Sequence, residues 1–177
     1  CNLGCTYCYA SQGDFGGPAK NMSPATARQA VELLINGVVP GERVHLTFLG
    51  GEPLANRSGL REATEHAAAL AAARGVRIGY AITTNGTLLT EQDGEFFERH
   101  GFAVTVSLDG LREEHDRQRS FKNGRGSFDQ IIERVRPLLA MQKQMQVSVR
   151  ATVSPDNLRL RENLDYFLDL GFHSVGF

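Results

Sequence analysis

Hydrophobic and polar positions follow two alternating patterns along the chain. Short apolar runs, typical of buried strands, alternate with longer stretches in which apolar side chains recur every three or four residues, as in amphipathic helices. Strands are predicted at residues 44–49, 76–83, 102–108, 146–153 and 172–177. Helices are predicted at residues 24–36, 58–74, 91–100, 128–139 and 155–170. The pattern therefore gives four complete strands and the start of a fifth.

The alternation of strands and helices predicts an α/β fold. No hairpin signals separate the apolar runs, so consecutive strands are expected to be parallel and joined by helical crossovers. A parallel sheet with helices outside it and right-handed connections follows from that order. Because no low-complexity linker divides the chain, residues 1–177 are predicted to form one domain.

Residues with strong local preferences mark the helix ends and the connections. Ser23 and Pro24 suit the start of the first helix, and glycines follow several predicted helix ends. Pro137 is expected to kink the fourth helix. The polar stretch 111–126 is predicted to be a long connection, and its charge run 115–119 to be mainly solvated.

Composition and charge narrow the classes of function. The chain has 177 residues, 41% hydrophobic and 22% charged, which is typical of a globular domain with a sizeable core. Its formal net charge of -1 gives no general electrostatic attraction to nucleic acid or to an anionic membrane. No apolar run approaches the length of a membrane span. We therefore expect neither nucleic acid nor a membrane as a partner. The chain starts at Cys1 and stops inside an apolar run, and we interpret it as a segment of a longer protein.

Three cysteines, the only ones in the chain, occupy one short loop at the spacing Cys1-x3-Cys5-x2-Cys8. Thiolates suit soft metals and iron–sulfur clusters, and three of them would leave one iron of a four-iron cluster open to a ligand. The alternatives are a disulfide with a free thiol, a redox pair formed by Cys5 and Cys8, and a structural zinc site. The odd number of thiols counts against a disulfide, and the glycines that follow the loop count against a redox pair. A zinc site is disfavoured because the histidines do not occur in pairs at ligand spacing. Clustered thiols also indicate a reducing compartment, and the cytoplasm is the predicted location.

Unusual residues gather where the predicted strands end. Functional groups in parallel α/β folds lie at the carboxyl ends of the strands, which meet at one rim of the sheet. The stretches at these ends are Gly50-Gly51-Glu52-Pro53, Thr84-Asn85-Gly86, Ser107-Leu108-Asp109-Gly110 and Arg150-Ala151-Thr152. The cysteine loop precedes the first helix, so it is expected at the same rim.

Each of these stretches has a functional and a structural interpretation. Gly50 and Gly51 ahead of Glu52 could hold an ammonium group or simply form a tight turn. Asp109 could accept hydrogen bonds from ribose hydroxyls or belong to an ordinary Asp-Gly turn. Arg150 lies in an apolar strand, and a buried arginine needs an anion, either a ligand carboxylate or an internal acid.

Four further side chains are candidates on weaker grounds. Ser107 could reach into the mouth of a barrel, and Arg119 could fold back towards the site. Tyr7, next to Cys8, could shield a cluster, stack on an adenine or pack in the core. Asn85 belongs to an Asn-Gly pair, which on its own favours a structural turn.

Taken together, these motifs resemble those of the radical S-adenosylmethionine (SAM) enzymes. The resemblance covers essentially the whole chain and rests on an ordered set of motifs. They are Cys1-x3-Cys5-x2-Cys8, Gly50-Gly51-Glu52-Pro53, Thr83-Thr84-Asn85-Gly86, Ser107-Leu108-Asp109-Gly110, His115-Asp116-x2-Arg119, Gly124-x-Gly126-Ser127-Phe128 and Arg150-x-Thr152. The later motifs are similar to those of one branch of this family. The enzymes of that branch modify peptides and proteins and carry a C-terminal cysteine-rich (SPASM or twitch) domain. That branch includes the anaerobic sulfatase-maturing enzymes, and the stretch 9–17 is similar to thioether-forming maturases.

The resemblance implies a partial (β/α)6 barrel of the TIM type with parallel strands. Cys1, Cys5 and Cys8 would ligate a [4Fe–4S] cluster, and SAM would chelate the fourth iron. Asn85 and Asp109 would shape the pocket. The full set of implied cofactor-binding residues is Tyr7, Gly50, Gly51, Glu52, Pro53, Asn85, Ser107, Asp109, Arg119 and Arg150.

Within that pocket, Gly50, Gly51 and Glu52 match the motif that holds the SAM amino group. Ser107 with Arg119 or Arg150 matches positions near its carboxylate and ribose. The reduced cluster would pass one electron to SAM, which would split into methionine and a 5′-deoxyadenosyl radical that abstracts hydrogen from the substrate. The protein supplies orientation and exclusion of water, and no side chain is required as an acid or base in that step.

The partners implied are a peptide or protein substrate and an external one-electron donor of the flavodoxin or ferredoxin type. The first barrel strand and a C-terminal auxiliary-cluster domain would lie outside residues 1–177. A small-molecule substrate, an iron–sulfur electron-transfer module and a zinc-binding scaffold are the alternatives. The motif at residues 50–52 counts against an electron carrier, which needs no site for the SAM amine.

Overall fold

The computed structural model describes residues 1–18 and 20–177 and contains one parallel sheet. Each strand lies beside the next strand in the chain. The strands are β1 (Arg43–Phe48), β2 (Arg77–Thr84), β3 (Phe102–Ser107), β4 (Gln146–Arg150) and β5 (Ser174–Gly176). The helices are α1 (Pro24–Ile35), α2 (Arg57–Arg74), α3 (Glu91–His100), α4 (Arg112–Gln118), α5 (Phe128–Met141) and α6 (Leu160–Asp169). The predicted parallel sheet of four strands and the start of a fifth is confirmed.

The two faces of the sheet differ in polarity. One face packs against the helices and carries Val104 and Val147, which pair in register and are at most 1% exposed. The other face carries small polar residues in neighbouring strands, with Thr83, Thr105 and Ser148 side by side and half-buried. The sheet therefore has helices on one side and a polar, partly open surface on the other, as the wall of an open barrel does.

Local sequence signals account for the helix ends. The Ser23 hydroxyl caps the start of α1, as predicted. Thr90 and Asp93 form a reciprocal capping box at the start of α3, in which each side chain accepts a hydrogen bond from the other residue's backbone. Gly75 and Gly101 end α2 and α3 with φ angles of +65° and +62°, a conformation that glycine adopts without a Cβ penalty.

The connection between β3 and α5 contains a helix that was not predicted. α4 occupies seven residues of it, and Glu114, His115 and Gln118 on this helix are at most 5% exposed. The prediction of a mainly solvated charge run is therefore wrong for the buried face of α4. That face is polar, so the hydrophobic period by which a helix is recognised in a sequence is missing.

The boundary between β4 and α6 also differs from the prediction. β4 ends at Arg150 rather than at residue 153, and α6 begins at Leu160 rather than at residue 155. Between them, the Ser154 N–H donates to Asn157 Oδ1 at 2.6 Å, and Asn157 Nδ2 donates to the Thr152 carbonyl at 2.8 Å. These bonds satisfy backbone groups in a turn and take the place of strand and helix pairing.

Two further features of the helices concern Pro137 in α5 and the length of α2. α5 runs without interruption through Pro137, at which a kink was expected. α2, with 18 residues, is the longest helix of the part that the structure describes. Within that part, no helix combines the length and the apolar character needed to cross a membrane.

Phe102 is a fully buried residue at which the packing of the core can be tested. The centroid of its ring lies 4.8 Å from that of Phe97 and 5.2 Å from that of Tyr80. Phe102→Ala should lower the free energy of unfolding by about 3–5 kcal/mol, because it removes a packed ring and leaves a cavity. Phe102→Leu should cost clearly less. Urea unfolding of the full-length protein followed by circular dichroism measures both, and equal midpoints for wild type and Phe102→Ala would contradict this packing.

Candidate functional site

The predicted site residues converge on one cavity at the carboxyl ends of the strands. This cavity, of about 360 Å³, is called here the cysteine cavity. Its lining includes ten of the predicted residues, namely Cys1, Cys5, Cys8, Tyr7, Gly50, Gly51, Asn85, Ser107, Arg119 and Arg150. Glu52 and Pro53 line an adjoining cavity of about 230 Å³, which shares Cys1, Gly50 and Gly51. Asp109 is fully buried.

The cysteine loop is held in place by the segment between α4 and α5. Leu3, 1% exposed, forms an isolated antiparallel bridge with Phe121. The Gly4 N–H donates to the Ser120 carbonyl at 2.9 Å, and the Thr6 N–H donates to the Gln118 carbonyl at 3.0 Å. The backbone therefore fixes the loop on both sides of Cys5, although no regular strand runs through it.

Gly51 and Gly13 allow the loop to approach the end of β1. A Cβ added at Gly51 would lie 2.9 Å from Gly13 Cα and 3.0 Å from the Cys1 nitrogen. A Cβ at Gly13, whose φ is +97°, would lie 2.5 Å from Cys1 Cβ. No larger residue fits at either position without moving backbone, so the close contact between Cys1 and this turn requires both glycines.

Glu52 is tied to the protein by hydrogen bonds at both carboxylate oxygens. Oε1 accepts from the Thr84 hydroxyl at 2.7 Å and from the Leu54 N–H at 3.0 Å, and Oε2 accepts from the Asn85 N–H at 2.7 Å. Burial raises the pKa of the carboxyl above its usual value, and the three hydrogen bonds oppose that rise. Glu52 thus joins the end of β1 to the end of β2.

Asn85 connects the end of β2 to the cysteine loop. Its Nδ2 lies 3.7 Å from Cys1 Sγ and donates to Asn2 Oδ1 at 2.9 Å. Its Oδ1 accepts from the Thr87 N–H at 3.0 Å. The amide is therefore oriented by the protein with its NH2 group towards the thiol, where it can stabilise a thiolate.

Tyr7, Asp109 and Arg119 form a network beneath the cysteine loop. The Tyr7 hydroxyl donates to Asp109 Oδ2 at 2.5 Å, and Arg119 Nη1 donates to the Tyr7 oxygen at 2.6 Å. Asp109 Oδ1 accepts from the Thr152 N–H at 3.0 Å and lies 3.7 Å from Arg119 Nη1. Burial raises the pKa of Tyr7 to about 12, and the hydrogen bond to Asp109 adds to the rise, so the phenol stays protonated and keeps its donor.

The two predicted arginines have different environments. Arg119 folds back towards the site, as suggested by its position in the sequence, and its side chain is 12% exposed. Its Nε is buried and has no partner among the described residues. Arg150 pairs in register with Ser107 at the rim but is exposed, so its prediction as a buried arginine is wrong. In residues 1–18 and 20–177, no ion pair includes Arg150.

His115 is a residue of the site that sequence reasoning missed. It is fully buried, its Nδ1 accepts from the Asp109 N–H at 3.3 Å, and its Nε2 lies 2.9 Å from the Ser127 hydroxyl. Ser127 in turn donates to the Arg119 carbonyl at 2.6 Å. This chain requires a neutral imidazole with its proton on Nε2, in agreement with a pKa that burial lowers to about 3. The motif from His115 to Arg119 was the available signal, but spacing could not show that the ring is buried.

The donor set suits a multi-iron cluster. In the described residues 1–18 and 20–177, no group of three or more His, Cys, Asp or Glu side chains surrounds a point suited to one metal ion. An iron–sulfur cluster takes one thiolate at each of several irons, so its ligands lie further apart than those of a single ion. Cys1, Cys5 and Cys8 are free, partly exposed thiols on the same cavity, and soft thiolates are the ligands that such clusters use.

Comparisons with known proteins find similar sequences over most or all of this chain. A family model described as the radical SAM superfamily matches residues 1–162. A serine-type anaerobic sulfatase-maturating enzyme of Bacteroides thetaiotaomicron is 32% identical over 184 residues, covering 100% of this chain and 43% of that enzyme. An uncharacterized protein of Methanocaldococcus jannaschii is 30% identical over 178 residues, covering 100% of this chain and 58% of that protein.

A solved structure confirms the architecture. Native anSMEcpe with bound AdoMet and Cp18Cys peptide superposes with a TM-score of 0.83 at 23% identity, covering 99% of this chain and 46% of that one. The predicted partial TIM-like barrel is therefore confirmed. This chain spans between 43% and 58% of the length of the relatives described here.

The buried His115 predicts how stability depends on pH. The unfolded chain takes up a proton on this ring near pH 6.5, whereas the folded protein does so only near pH 3. Between these values the unfolded state binds more protons, so stability is lost as the pH falls through this window. From pH 7 to pH 5, His115 should account for a loss of about 2 kcal/mol.

Urea unfolding of the cluster-free, full-length protein at both pH values measures this loss. His115→Asn, which keeps an acceptor near the Nδ1 position and does not titrate, should lose less stability than wild type on acidification. His173→Asn, at an exposed position, is the matched control and should behave like wild type. An unchanged pH dependence in His115→Asn would contradict the neutral, buried imidazole.

Proposed function

The chain belongs to the radical SAM superfamily, whose cofactors are a [4Fe–4S] cluster and SAM, and on this premise we propose that it is the core of an enzyme that modifies a peptide or protein. The observation that carries the proposal is the lining of the cysteine cavity. Three free thiols, the glycines at the end of β1 and Arg150, which forms no ion pair with any described residue, lie around one space. When bound together, the two cofactors supply a 5′-deoxyadenosyl radical that takes a hydrogen atom from the substrate.

Cys1, Cys5 and Cys8 are the proposed cluster ligands. The backbone bonds on both sides of Cys5 orient the loop, and Asn85 directs an N–H towards Cys1 Sγ. The network of Tyr7, Asp109 and Arg119 pairs the buried charge of Asp109 on the inner side of the loop. The loop is thus preorganised to present three thiolates to one side of the cavity.

Gly50, Gly51, Ser107 and Arg150 are the proposed contacts of SAM. The glycines leave backbone groups unobstructed beside Cys1, where the SAM amino group would lie. Arg150 offers a guanidinium that is exposed in the cavity, which suits the SAM carboxylate, and Ser107 lies beside it in register. Since both oxygens of Glu52 are already bonded within the protein, its proposed part is to hold the Gly50–Gly51 turn in position.

The proposed substrate is a peptide or a protein segment. Two observations support it: the sulfatase-maturating relatives, and the open face of the sheet that runs from the cysteine cavity through Thr83, Thr105 and Ser148. These small polar residues leave room for a chain to approach the cavity. In its narrower form, the proposal is a thioether crosslink, supported by the similarity of residues 9–17 to thioether-forming maturases. The three free thiols support a reducing compartment such as the cytoplasm.

Replacement of all three cysteines tests the cluster. The full-length protein, reconstituted with iron and sulfide without oxygen, should release 5′-deoxyadenosine when dithionite and SAM are added, as detected by mass spectrometry. The Cys1/Cys5/Cys8→Ala variant should bind no cluster and release none. Tyr9→Ala changes a ring that is 91% exposed in the same loop and should retain iron and sulfide. A cluster-loaded wild type that neither binds SAM nor forms product would instead support the electron-transfer alternative.

Single substitutions of Arg150 and Arg119 test their separate roles. Arg150→Gln should weaken SAM binding about ten- to hundredfold, the effect of losing one charge-assisted hydrogen bond, with unchanged iron content. Arg119→Gln should lower the iron content, because it leaves the Asp109 carboxylate without its buried cation. Equilibrium dialysis of SAM against oxidised, cluster-loaded protein and iron analysis measure the two effects. Equal SAM affinity in Arg150→Gln and wild type would exclude the proposed carboxylate contact.

A further inference from the structure

A strongly basic segment lies against the cysteine loop. Residues 117–125, called here the basic turn, read Arg-Gln-Arg-Ser-Phe-Lys-Asn-Gly-Arg. They contain four cations and no acid, although the chain as a whole has a formal net charge of -1. None of the four proposed SAM contacts lies in this segment, and the barrel wall does not require such a concentration of charge, so a separate explanation is needed.

The basic turn is in direct backbone contact with the proposed cluster ligands. The carbonyls of Gln118 and Ser120 accept hydrogen bonds from the loop on either side of Cys5. Gly4, which immediately precedes Cys5, has no side chain to separate the two segments, and a Cβ there would lie 3.4 Å from Lys122 Cα. The tip of the turn is therefore in van der Waals contact with the backbone of the cysteine loop.

The cations at the tip of the basic turn face the solvent. Bonds from the Phe121 N–H to the Arg125 carbonyl and from the Gly124 N–H to the Phe121 carbonyl shape the tip, at 2.8 and 2.9 Å. The Arg125 guanidinium lies 4.6 Å from the centre of the Phe121 ring, and both Lys122 and Arg125 are exposed. Within the part of the chain that the structure describes, no ion pair includes either residue. Arg119, by contrast, points inward to Tyr7 and Asp109.

We propose that the basic turn is the docking surface for an acidic one-electron carrier protein, with a flavin or iron–sulfur centre, that reduces the cluster. This inference rests on the proposed function, because only a reducible cluster needs such a partner. Electron transfer slows steeply with distance, so a carrier must reach the surface nearest the cluster ligands. An unneutralised positive patch at that surface attracts and orients a negatively charged partner.

The electron balance of the step is simple. One electron leaves the reduced centre of the carrier, which is oxidised by one electron, and enters the cluster, which is reduced by one. No bond is formed or broken, and no proton has to cross the interface. The protein contributes the encounter and the short path through the contact between Lys122 and Gly4.

Stopped-flow reduction of the cluster tests the proposal. The full-length, cluster-loaded protein is mixed without oxygen with the hydroquinone of an acidic flavodoxin at low ionic strength. Lys122→Glu/Arg125→Glu should lower the second-order rate constant at least about tenfold, and added salt should narrow the difference from wild type. Lys122→Gln/Arg125→Gln should give an intermediate rate. The matched control is Arg43→Glu/Arg136→Glu, which changes the net charge equally at exposed positions outside the cysteine cavity and should keep the wild-type rate.

Reduction without a protein carrier separates this inference from the proposed function. Photoreduction with the uncharged dye 5-deazariboflavin should give equal cluster reduction and equal 5′-deoxyadenosine in wild type and all variants. Loss of 5′-deoxyadenosine in wild type under this condition would overturn the proposed function itself. The docking surface would be overturned if the carrier reduced wild type and Lys122→Glu/Arg125→Glu at equal rates, which is also the result expected if another part of the full-length protein covers the basic turn. It would equally be overturned if the control pair lowered the rate constant as much as Lys122→Glu/Arg125→Glu does.

Discussion

The buried carboxylate of Asp109 is the constraint on which the rest of the site depends. A charge removed from water is costly unless charged or polar partners surround it, and here those partners come from three separate parts of the chain. The Tyr7 hydroxyl comes from the cysteine loop, the Arg119 guanidinium follows α4, and the Thr152 N–H follows β4. The carboxylate therefore fixes the relative positions of the loop, the helix and the strand. Its stabilisation is collective, because removal of any one partner weakens the stabilisation of a charge that stays buried.

A second set of hydrogen bonds extends this arrangement to the backbone of the same residue. The Asp109 N–H donates to His115, and its carbonyl accepts from Asn157 Nδ2 at 2.5 Å. Every polar group of Asp109 is thus used, and the turn after β3 is held from both sides. The polar residues that are buried here, namely Glu114, His115, Gln118, Ser127, Asn157 and Asn163, lie around this turn. They account for much of the order at the rim, where the apolar core does not reach.

The sheet and most helices could be predicted from the sequence because apolar periodicity and helix caps are local signals. The position of the cysteine cavity could also be predicted, since strand ends in a parallel sheet meet at one rim. α4 could not, because its buried face is polar and resembles a solvated charge run. The burial of His115 and the exposure of Arg150 depend on which neighbours cover each side chain. For the same reason, Arg119 and Arg150 could both be predicted as candidates from the sequence, but the protein partners of Arg119 could not.

The bridge between Leu3 and Phe121 has a consequence for the order of folding. The cysteine loop takes its shape from residues far along the chain; Arg119 and Tyr7, for example, are 112 positions apart. Closing so long a loop is entropically costly, and it becomes favourable only once β1 to β3 and their helices bring the ends together. We therefore expect the loop to reach its final shape late in folding, after the strands and helices that bring its partners near. If these thiols hold a cluster as proposed, we expect the metal centre to assemble after the sheet has folded.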